Sequence, residues 1–342
     1  MPTREELTML QHLPLEVKVA KTQQRIREWV DFYGKDGVYV SFSGGKDSTV
    51  LLHLVRGLYG NDIPAVFVDT GLEYPEIRQF VKSFENVEIL RPKMSFQEVL
   101  SKYGYPLIGK EVARKISDVR KKGYQGYAYK FFINEARDKK GNLYKMYDYS
   151  KWKPLLDLPI DISYKCCDIM KKNPAHNYGK LNSKNAITGQ MAEDSLLRRT
   201  RWLINGCNSF NMVNPLSNPM SFWLEQDVLR YIKQNNIPIC SVYGDIVSTD
   251  TDKNQYENSL TGGCKLKTIG CHRTGCIFCA FGAHHDTRFL DLKTTHPKQY
   301  NYCINGGEFV DGIWKPNKQG LGMKYVFDKV NEIYGKDFIK YE

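Results

Sequence analysis

The sequence, 342 residues long, lacks any apolar run near the roughly 18 residues that a membrane-spanning helix requires. Its first ten residues have no long apolar core behind their charges, which argues against a secretory signal. Hydrophobic residues make up 42% and charged residues 25%, so a wholly disordered, collagen-like or coiled-coil chain is also excluded. We therefore expect a cytoplasmic globular protein with no membrane partner.

A disulfide framework is not expected either. The sequence has nine cysteines, an odd number, and two of them are adjacent. Without an export signal, such cysteines indicate a reducing compartment and a metal-binding or redox use.

Acidic residues are the minority, since the net charge is +11 and the sequence pI is about 9.0. Residues 110–153 hold 13 Lys and Arg against 5 Asp and Glu, which places +8 of that charge in one stretch with interleaved aromatic side chains. Basic groups neutralise phosphates and aromatic rings stack on bases, so the stretch could bind nucleic acid. The alternative is a charged insertion whose rings are buried.

Strand and helix patterns alternate in the first part of the chain. Short apolar runs at 38–41, 63–68 and 87–90 read as strands, with a helix predicted at 47–59 between the first two. A further strand is expected at 185–188. This order predicts a parallel sheet with crossover helices, in which ligands bind beyond the carboxyl ends of the strands.

The segment Ser41–Ser48 joins the first strand to the following helix. Gly44 and Gly45 let the backbone turn sharply and approach a phosphate, and the free N–H groups of the helix then face that anion. Ser43 and Ser48 add hydroxyl donors to these amides. Lys46 adds a positive charge and Asp47 a carboxylate. Its lysine directly follows the glycine pair, so this is not the G-x-x-x-x-G-K-[ST] loop of P-loop kinases.

Residues 43–48 resemble the pyrophosphate loop of N-type ATP pyrophosphatases and of the phosphoadenosine-phosphosulfate reductase family. Three further segments, in the order of that family, favour the reductases: residues 66–75, residues 187–195, and Pro215–Leu216 followed by the helix at 225–228. The resemblance implies an adenine nucleotide alpha-hydrolase-like α/β fold. This fold is a parallel twisted sheet with helices on both faces, here with a Cys-rich C-terminal metal-binding region. Together with the residue patterns, it predicts three parts: an N-terminal helical segment (1–35), a nucleotide-binding domain (36–245) with an insertion at 110–153, and a Cys-rich region with a final helix (246–342).

The family resemblance further implies an adenine nucleotide, ATP or an adenylyl sulfate, with Mg as a possible companion. The residues expected to bind it are Ser41, Ser43, Gly44, Gly45, Lys46, Asp47, Ser48, Asp69, Thr70, Gly189, Glu193 and Arg198. Lys46, Asp47 and Asp69 are the expected catalytic residues. Arg198 could instead belong to a solvated helix face.

The implied reaction is sulfur or adenylyl transfer. Reductases of the family use a C-terminal Cys to take sulfite, whereas this chain has no Cys after Cys303, and Gln190 stands where they carry a basic residue. An ATP-dependent nucleic-acid sulfur-modification enzyme, similar to the DNA phosphorothioation enzymes, is therefore an alternative, and a non-catalytic nucleotide-sensing subunit is a second.

The adjacent pair Cys166–Cys167 resembles a motif of assimilatory adenylyl-sulfate reductases, in which a distant C-x-x-C completes a [4Fe–4S] site. Cys276 and Cys279 form such a C-x-x-C here. A rival quartet takes Cys264 and Cys271 with that C-x-x-C, as a compact knuckle for zinc or for the cluster itself.

Overall fold

A computed structural model describes residues 2–144, 148–249 and 264–342. The chain divides into two compact units. The first comprises Met1–Asp69, Glu73–Arg91 and Pro174–Thr274, and the second comprises Thr70–Leu72, Pro92–Asn173 and Gly275–Glu342. The predicted boundaries at residues 35 and 245 stay a prediction.

The described α-helices are, in chain order, α1 (Arg4–Gln11), α2 (Leu15–Tyr33), α3 (Lys46–Tyr59), α4 (Pro75–Lys82), α5 (Phe96–Tyr103), α6 (Lys110–Lys122), α7 (Tyr127–Phe132), α8 (Asn173–Leu181), α9 (Leu196–Asn205), α10 (Glu225–Gln234), α11 (Arg288–Thr295), α12 (Pro297–Ile304) and α13 (Met323–Tyr334). The described strands are β1 (Val38–Ser41), β2 (Ala65–Val68), β3 (Val87–Leu90), β4 (Asn185–Thr188), β5 (Asn208–Ser209), β6 (Leu216–Ser217), β7 (Ile246–Ser248), β8 (Leu266–Thr268), β9 (Glu308–Val310) and β10 (Ile313–Lys315).

The first unit contains a six-stranded sheet in the order β3-β2-β1-β4-β6-β5. All neighbouring pairs are parallel except β5 with β6. The predicted α/β class with a mainly parallel sheet is therefore confirmed. Strand β2 lies on one side of β1 and strand β4 lies on its other side, so the strand order reverses at β1. In sheets of this kind, ligands bind at the reversal point.

Local sequence explains the strand and helix bounds. β1 is buried at Val38, Tyr39 and Val40, as expected for a central strand covered on both faces. The predicted strand at 63–68 begins two residues late, at Ala65, because Pro64 has no N–H to donate to a neighbouring strand. Helix α3 ends at Tyr59 and is followed by Gly60, whose φ of 60° is readily adopted only by glycine.

A buried ion pair joins two helices of the first unit. The Nζ of Lys18 on α2 lies 2.6 Å from Oδ2 of Asp227 on α10, and the two side chains are 1% and 7% exposed. The same carboxylate accepts from the amide of Leu224, 2.7 Å away, so its second function is to cap α10. Both charges therefore have several partners in the core, as buried charges require.

The second unit is mainly helical and carries the β9–β10 hairpin. None of the helices in the described ranges is long and apolar enough to span a membrane.

Candidate functional site

The glycine-rich loop lies at the reversal point of the sheet. The end of β1 pairs with the end of β4, Ser41 opposite Thr188, so the loops that follow the two strands emerge side by side. A Cβ atom on Gly189 would lie 3.1 Å from the carbonyl oxygen of Asp47. Gly189 therefore allows the loop after β4 to approach the first turn of α3.

The loop is held by its own side chains. The hydroxyl of Ser48 accepts from the amide of Ser43, 3.1 Å away, and the hydroxyl of Ser43 accepts from the amide of Gly45, 3.3 Å away. Gly44 has a φ of 70°, and a Cβ there would lie 2.8 Å from a methyl of Val81 on α4. Only glycine fits that position without strain or displacement.

The side chain of Lys46 is buried and contacts two acceptors. Its Nζ lies 3.0 Å from Oε1 of Glu225 and 3.0 Å from the carbonyl oxygen of His272. The charge of the predicted anion-binding lysine is thus balanced by a carboxylate within the same unit.

The backbone amide of Lys46 also has a partner. It donates to the hydroxyl of Tyr243 over 3.1 Å, and that hydroxyl lies 2.7 Å from Oγ1 of Thr274. Burial raises the pKa of Tyr243 to about 12, so its hydroxyl is neutral at ordinary pH. Among the described residues, the next two amides of α3, those of Asp47 and Ser48, have no acceptor.

One carboxylate oxygen of Asp47 is buried and unsatisfied, although the side chain as a whole is 33% exposed. Its Oδ1 has no hydrogen-bond partner among the described residues and lies 3.8 Å from Nζ of Lys46. Burial raises the pKa of Asp47, and the nearby charge of Asp194 raises it further. Arg273 pairs with Asp194 over 3.1 Å, so acidic and basic groups alternate around the loop.

Other predicted site residues have structural partners. Asp69 pairs with Arg78 over 2.8 Å, and the hydroxyl of Thr70, in the second unit, accepts from the amide of Leu72. Glu193 accepts from the amide of Glu225, 2.7 Å away, at the start of α10. Arg198 pairs with Asp194. Roles for these residues in ligand binding stay predictions.

Four cysteines line one small cavity of the second unit: Cys166, Cys167, Cys276 and Cys279, together with Leu72, Phe96, Pro106, Met170 and Lys171. A π-helical turn, Asp168–Lys172, directly follows the adjacent pair, whose sulfur atoms are 4.0 Å apart. Within residues 2–144, 148–249 and 264–342, however, no group of three or more His, Cys, Asp or Glu side chains could hold a metal ion as arranged.

The thiols of this cavity differ in acidity. A hydrogen bond from Cys166 lowers the pKa of Cys167 to about 6, and the positive charges of Lys110 and Lys171 act in the same direction. The same hydrogen bond raises the pKa of Cys166, and burial raises that of Cys279 to about 11. Cys264 and Cys271 of the rival quartet belong to the first unit, and the choice between the quartets stays a prediction.

Part of the basic stretch at 110–153 makes contacts within the second unit. Arg120 donates to four carbonyl groups of residues 155–160 over 2.6 to 3.1 Å. Lys110 pairs with Asp168, and Lys115 lies 4.0 Å from the ring centre of Phe131. Three of its aromatic side chains are buried: Phe132, Tyr149 and Trp152. These contacts do not support a nucleic-acid surface here.

The fold and the loop together define a parallel α/β protein with a glycine-rich helix entry at the reversal point of its sheet. A model of the phosphoadenosine phosphosulfate reductase domain matches residues 37–121 and 110–280, which is more than half of the chain. The chain therefore belongs to the phosphoadenosine phosphosulfate reductase domain family. Membership supports a nucleotide-binding role and enzymatic activity of the reductase or transferase kind.

Curated relatives match shorter segments. Two uncharacterised proteins of Methanocaldococcus jannaschii are 43% identical over 76 residues and 40% identical over 74 residues. These matches cover 21% and 20% of this chain, and 16% and 18% of those proteins. A glutamine-hydrolyzing GMP synthase of Thermomicrobium roseum is 46% identical over 50 residues, which is 15% of this chain and 10% of that enzyme. The chain thus matches less than a fifth of the length of each relative.

Several residues around the loop were not identified as site residues from sequence: Asp194, Glu225, Tyr243, Arg273 and Thr274. Asp194 and Glu225 lie in segments that carry the family resemblance, which was the available signal for those two residues. Tyr243 is 197 positions from Lys46, and no motif marks it.

Proposed function

We propose that this chain is an enzyme that binds an adenine nucleotide, ATP or an adenylyl sulfate, on the loop at residues 41–48 and transfers its sulfur or adenylyl group. One observation carries the proposal. The first amides of α3 lie at the reversal point of the sheet, and the backbone of Gly189 lies close beside them. Such amides and the helix dipole favour phosphate. Similarity to part of a GMP synthase also favours a nucleotide ligand.

Three side chains have distinct roles in this proposal. Lys46 supplies positive charge to the phosphate or sulfate when it exchanges Glu225 for the ligand. Asp69 follows β2 directly, as expected for a residue that contacts the ribose or base. Asp47 has an unsatisfied carboxylate oxygen, which suits Mg²⁺ because that ion takes one or two carboxylates in addition to phosphate oxygens.

The cysteine cavity supports a metal centre as the second part of the proposal. Its four thiols, with Leu72, Phe96 and Met170 around them, match the donor set of a [4Fe–4S] cluster. Four thiolates are equally the donor set of a single tetrahedral zinc, so the metal itself stays open between the two. A cluster at this cavity would supply electrons or tune the electrostatics of sulfur transfer.

The test of nucleotide binding is a Lys46→Ala variant titrated calorimetrically with ATP and with adenylyl sulfate. We expect binding to fall at least tenfold, because a charge-assisted contact contributes about 1.5 to 3 kcal/mol. Lys35→Ala is the matched control, since Lys35 pairs with Asp62 on the surface and its side chain is 52% exposed. If wild type and Lys46→Ala bind these nucleotides equally well, the loop at residues 41–48 is not the nucleotide-binding site. Failure of ATP–pyrophosphate exchange and of sulfite release would leave a non-catalytic nucleotide-binding subunit.

A further inference from the structure

The phosphate loop is partly occupied by the protein itself. The amide of Lys46 is the first N–H of α3, and it donates to the hydroxyl of Tyr243. Built on Gly45, a Cβ atom would lie 3.2 Å from this hydroxyl and 3.2 Å from Oγ1 of Thr274. Two side-chain oxygens thus lie close to Gly45.

We propose that the hydroxyl of Tyr243 takes the place of a phosphate oxygen in the ligand-free protein, and that a nucleotide binds by displacing it from the Lys46 amide. Tyr243 would thereby set the affinity of the loop and favour ligands that carry phosphate over neutral nucleosides. This inference rests on the proposed function, since it assumes that the phosphate binds at the start of α3.

The Tyr243 hydroxyl and a phosphate oxygen compete because the Lys46 amide can donate only one hydrogen bond. A backbone amide has one proton, so the Lys46 amide serves either the tyrosine or the phosphate. Charged acceptors form bonds about twice as strong as neutral ones, and burial keeps the Tyr243 hydroxyl neutral because its pKa is about 12. A phosphate oxygen therefore displaces the hydroxyl, whereas the uncharged oxygens of adenosine gain nothing by doing so.

After a ligand displaces it from the Lys46 amide, the Tyr243 hydroxyl still has Thr274 as a hydrogen-bond partner. Thr274 lies 2.7 Å from it, and either oxygen can be the donor. The tyrosine therefore loses one hydrogen bond on release and keeps the other. The segment that carries Thr274 also places the His272 carbonyl on Nζ of Lys46, so the same few residues cover both the amide and the ammonium group.

The experiment compares wild type with Tyr243→Phe, which retains the ring and removes the hydroxyl. Pyrophosphate, ATP and adenosine are titrated calorimetrically. We expect pyrophosphate and ATP to bind roughly five- to tenfold more tightly to the variant, because the competing hydrogen bond is lost from the free state, and adenosine affinity to stay the same. Tyr231→Phe is the matched control, since its buried hydroxyl bonds to His53 and not to the loop.

Thr274→Val provides a second variant that keeps the tyrosine. Loss of this partner loosens the Tyr243 hydroxyl, so we expect a smaller gain in pyrophosphate affinity. A stability measurement adds an independent readout. Tyr243→Phe should unfold at lower urea concentration than wild type without ligand, and the difference should shrink in saturating pyrophosphate.

The outcomes separate the two claims. Unchanged or weaker pyrophosphate binding by Tyr243→Phe overturns the competition, and the proposed function survives if Lys46→Ala still lowers ATP affinity at least tenfold. If neither pyrophosphate nor ATP binds to wild type or to Tyr243→Phe, both claims fail.

Discussion

The ammonium group of Lys46 and the carboxylate of Glu225 form an ion pair with a separation of 3.0 Å, and their side chains are only 4% and 19% exposed. Glu225 is the first residue of α10 and is fixed there by the contact between its amide and Glu193. The lysine that we propose as the phosphate ligand is thus already paired with a carboxylate.

Replacing that carboxylate should strengthen anion binding. In a Glu225→Gln variant, Lys46 no longer faces a negative charge that opposes the ligand, so we expect pyrophosphate to bind several-fold more tightly, on the order of 1 kcal/mol. Calorimetric titration at low salt measures this. Glu332→Gln is the control, because its carboxylate pairs with Lys329 on the surface and its side chain is 59% exposed. A Glu225→Gln variant with wild-type affinity would show that the ion pair does not compete with the ligand.

The loop glycines can be tested by stability. Gly44→Ala should lower the free energy of unfolding by about 1 to 3 kcal/mol, because it strains a positive φ and places a Cβ 2.8 Å from Val81. Gly57→Ala, within α3, is the control: its Cβ would meet nothing within 4 Å, so alanine should stabilise by up to about 1 kcal/mol. Urea denaturation measures both, and equal effects of the two substitutions would contradict the strain argument.

The buried pair of the first unit provides a separate prediction. Lys18→Met leaves Asp227 buried without its counter-ion and should cost about 3 to 5 kcal/mol. Lys35→Met removes an exposed ion pair of similar length with Asp62 and should cost at most about 1 kcal/mol. Chemical denaturation of the two variants gives the comparison. Similar losses would show that burial does not control the strength of the pair.

Local signals made the sheet and the loop predictable. The apolar run at 38–41, the glycine pair and the helical pattern after it are contiguous, so the structure around Lys46 follows from short-range preferences. The contacts made by Tyr243 could not be predicted, because they depend on tertiary packing across 197 positions. The acidic turn after β4 was predicted only in part. The sequence indicated Glu193 as a site residue, whereas the carboxylate near Asp47 in the structure is that of Asp194.

Asp47 should make stability depend on pH. Because burial raises its pKa, the folded chain holds the proton more tightly than the unfolded chain does. This contribution is fully present below the ordinary value of 3.8 and is lost as the pH rises through the raised folded value. Asp47→Asn should therefore raise the free energy of unfolding at pH 7 and flatten its pH dependence. Urea unfolding between about pH 4 and pH 7 tests this. The exposed Asp31→Asn should leave the profile unchanged; a wild-type profile in Asp47→Asn would contradict the burial argument.

The two cysteine quartets predict opposite results for two single substitutions. Anaerobically purified protein should contain about four irons and a similar amount of sulfide if a [4Fe–4S] cluster is bound, or about one zinc and no colour if the knuckle is formed. If Cys166 is a ligand, Cys166→Ser should lose the metal while Cys264→Ser retains it, and the rival set predicts the reverse. Cys240→Ser is the control, because this buried thiol belongs to neither set. Wild-type protein that contains neither iron nor zinc after anaerobic purification and reconstitution would rule out both quartets as metal sites.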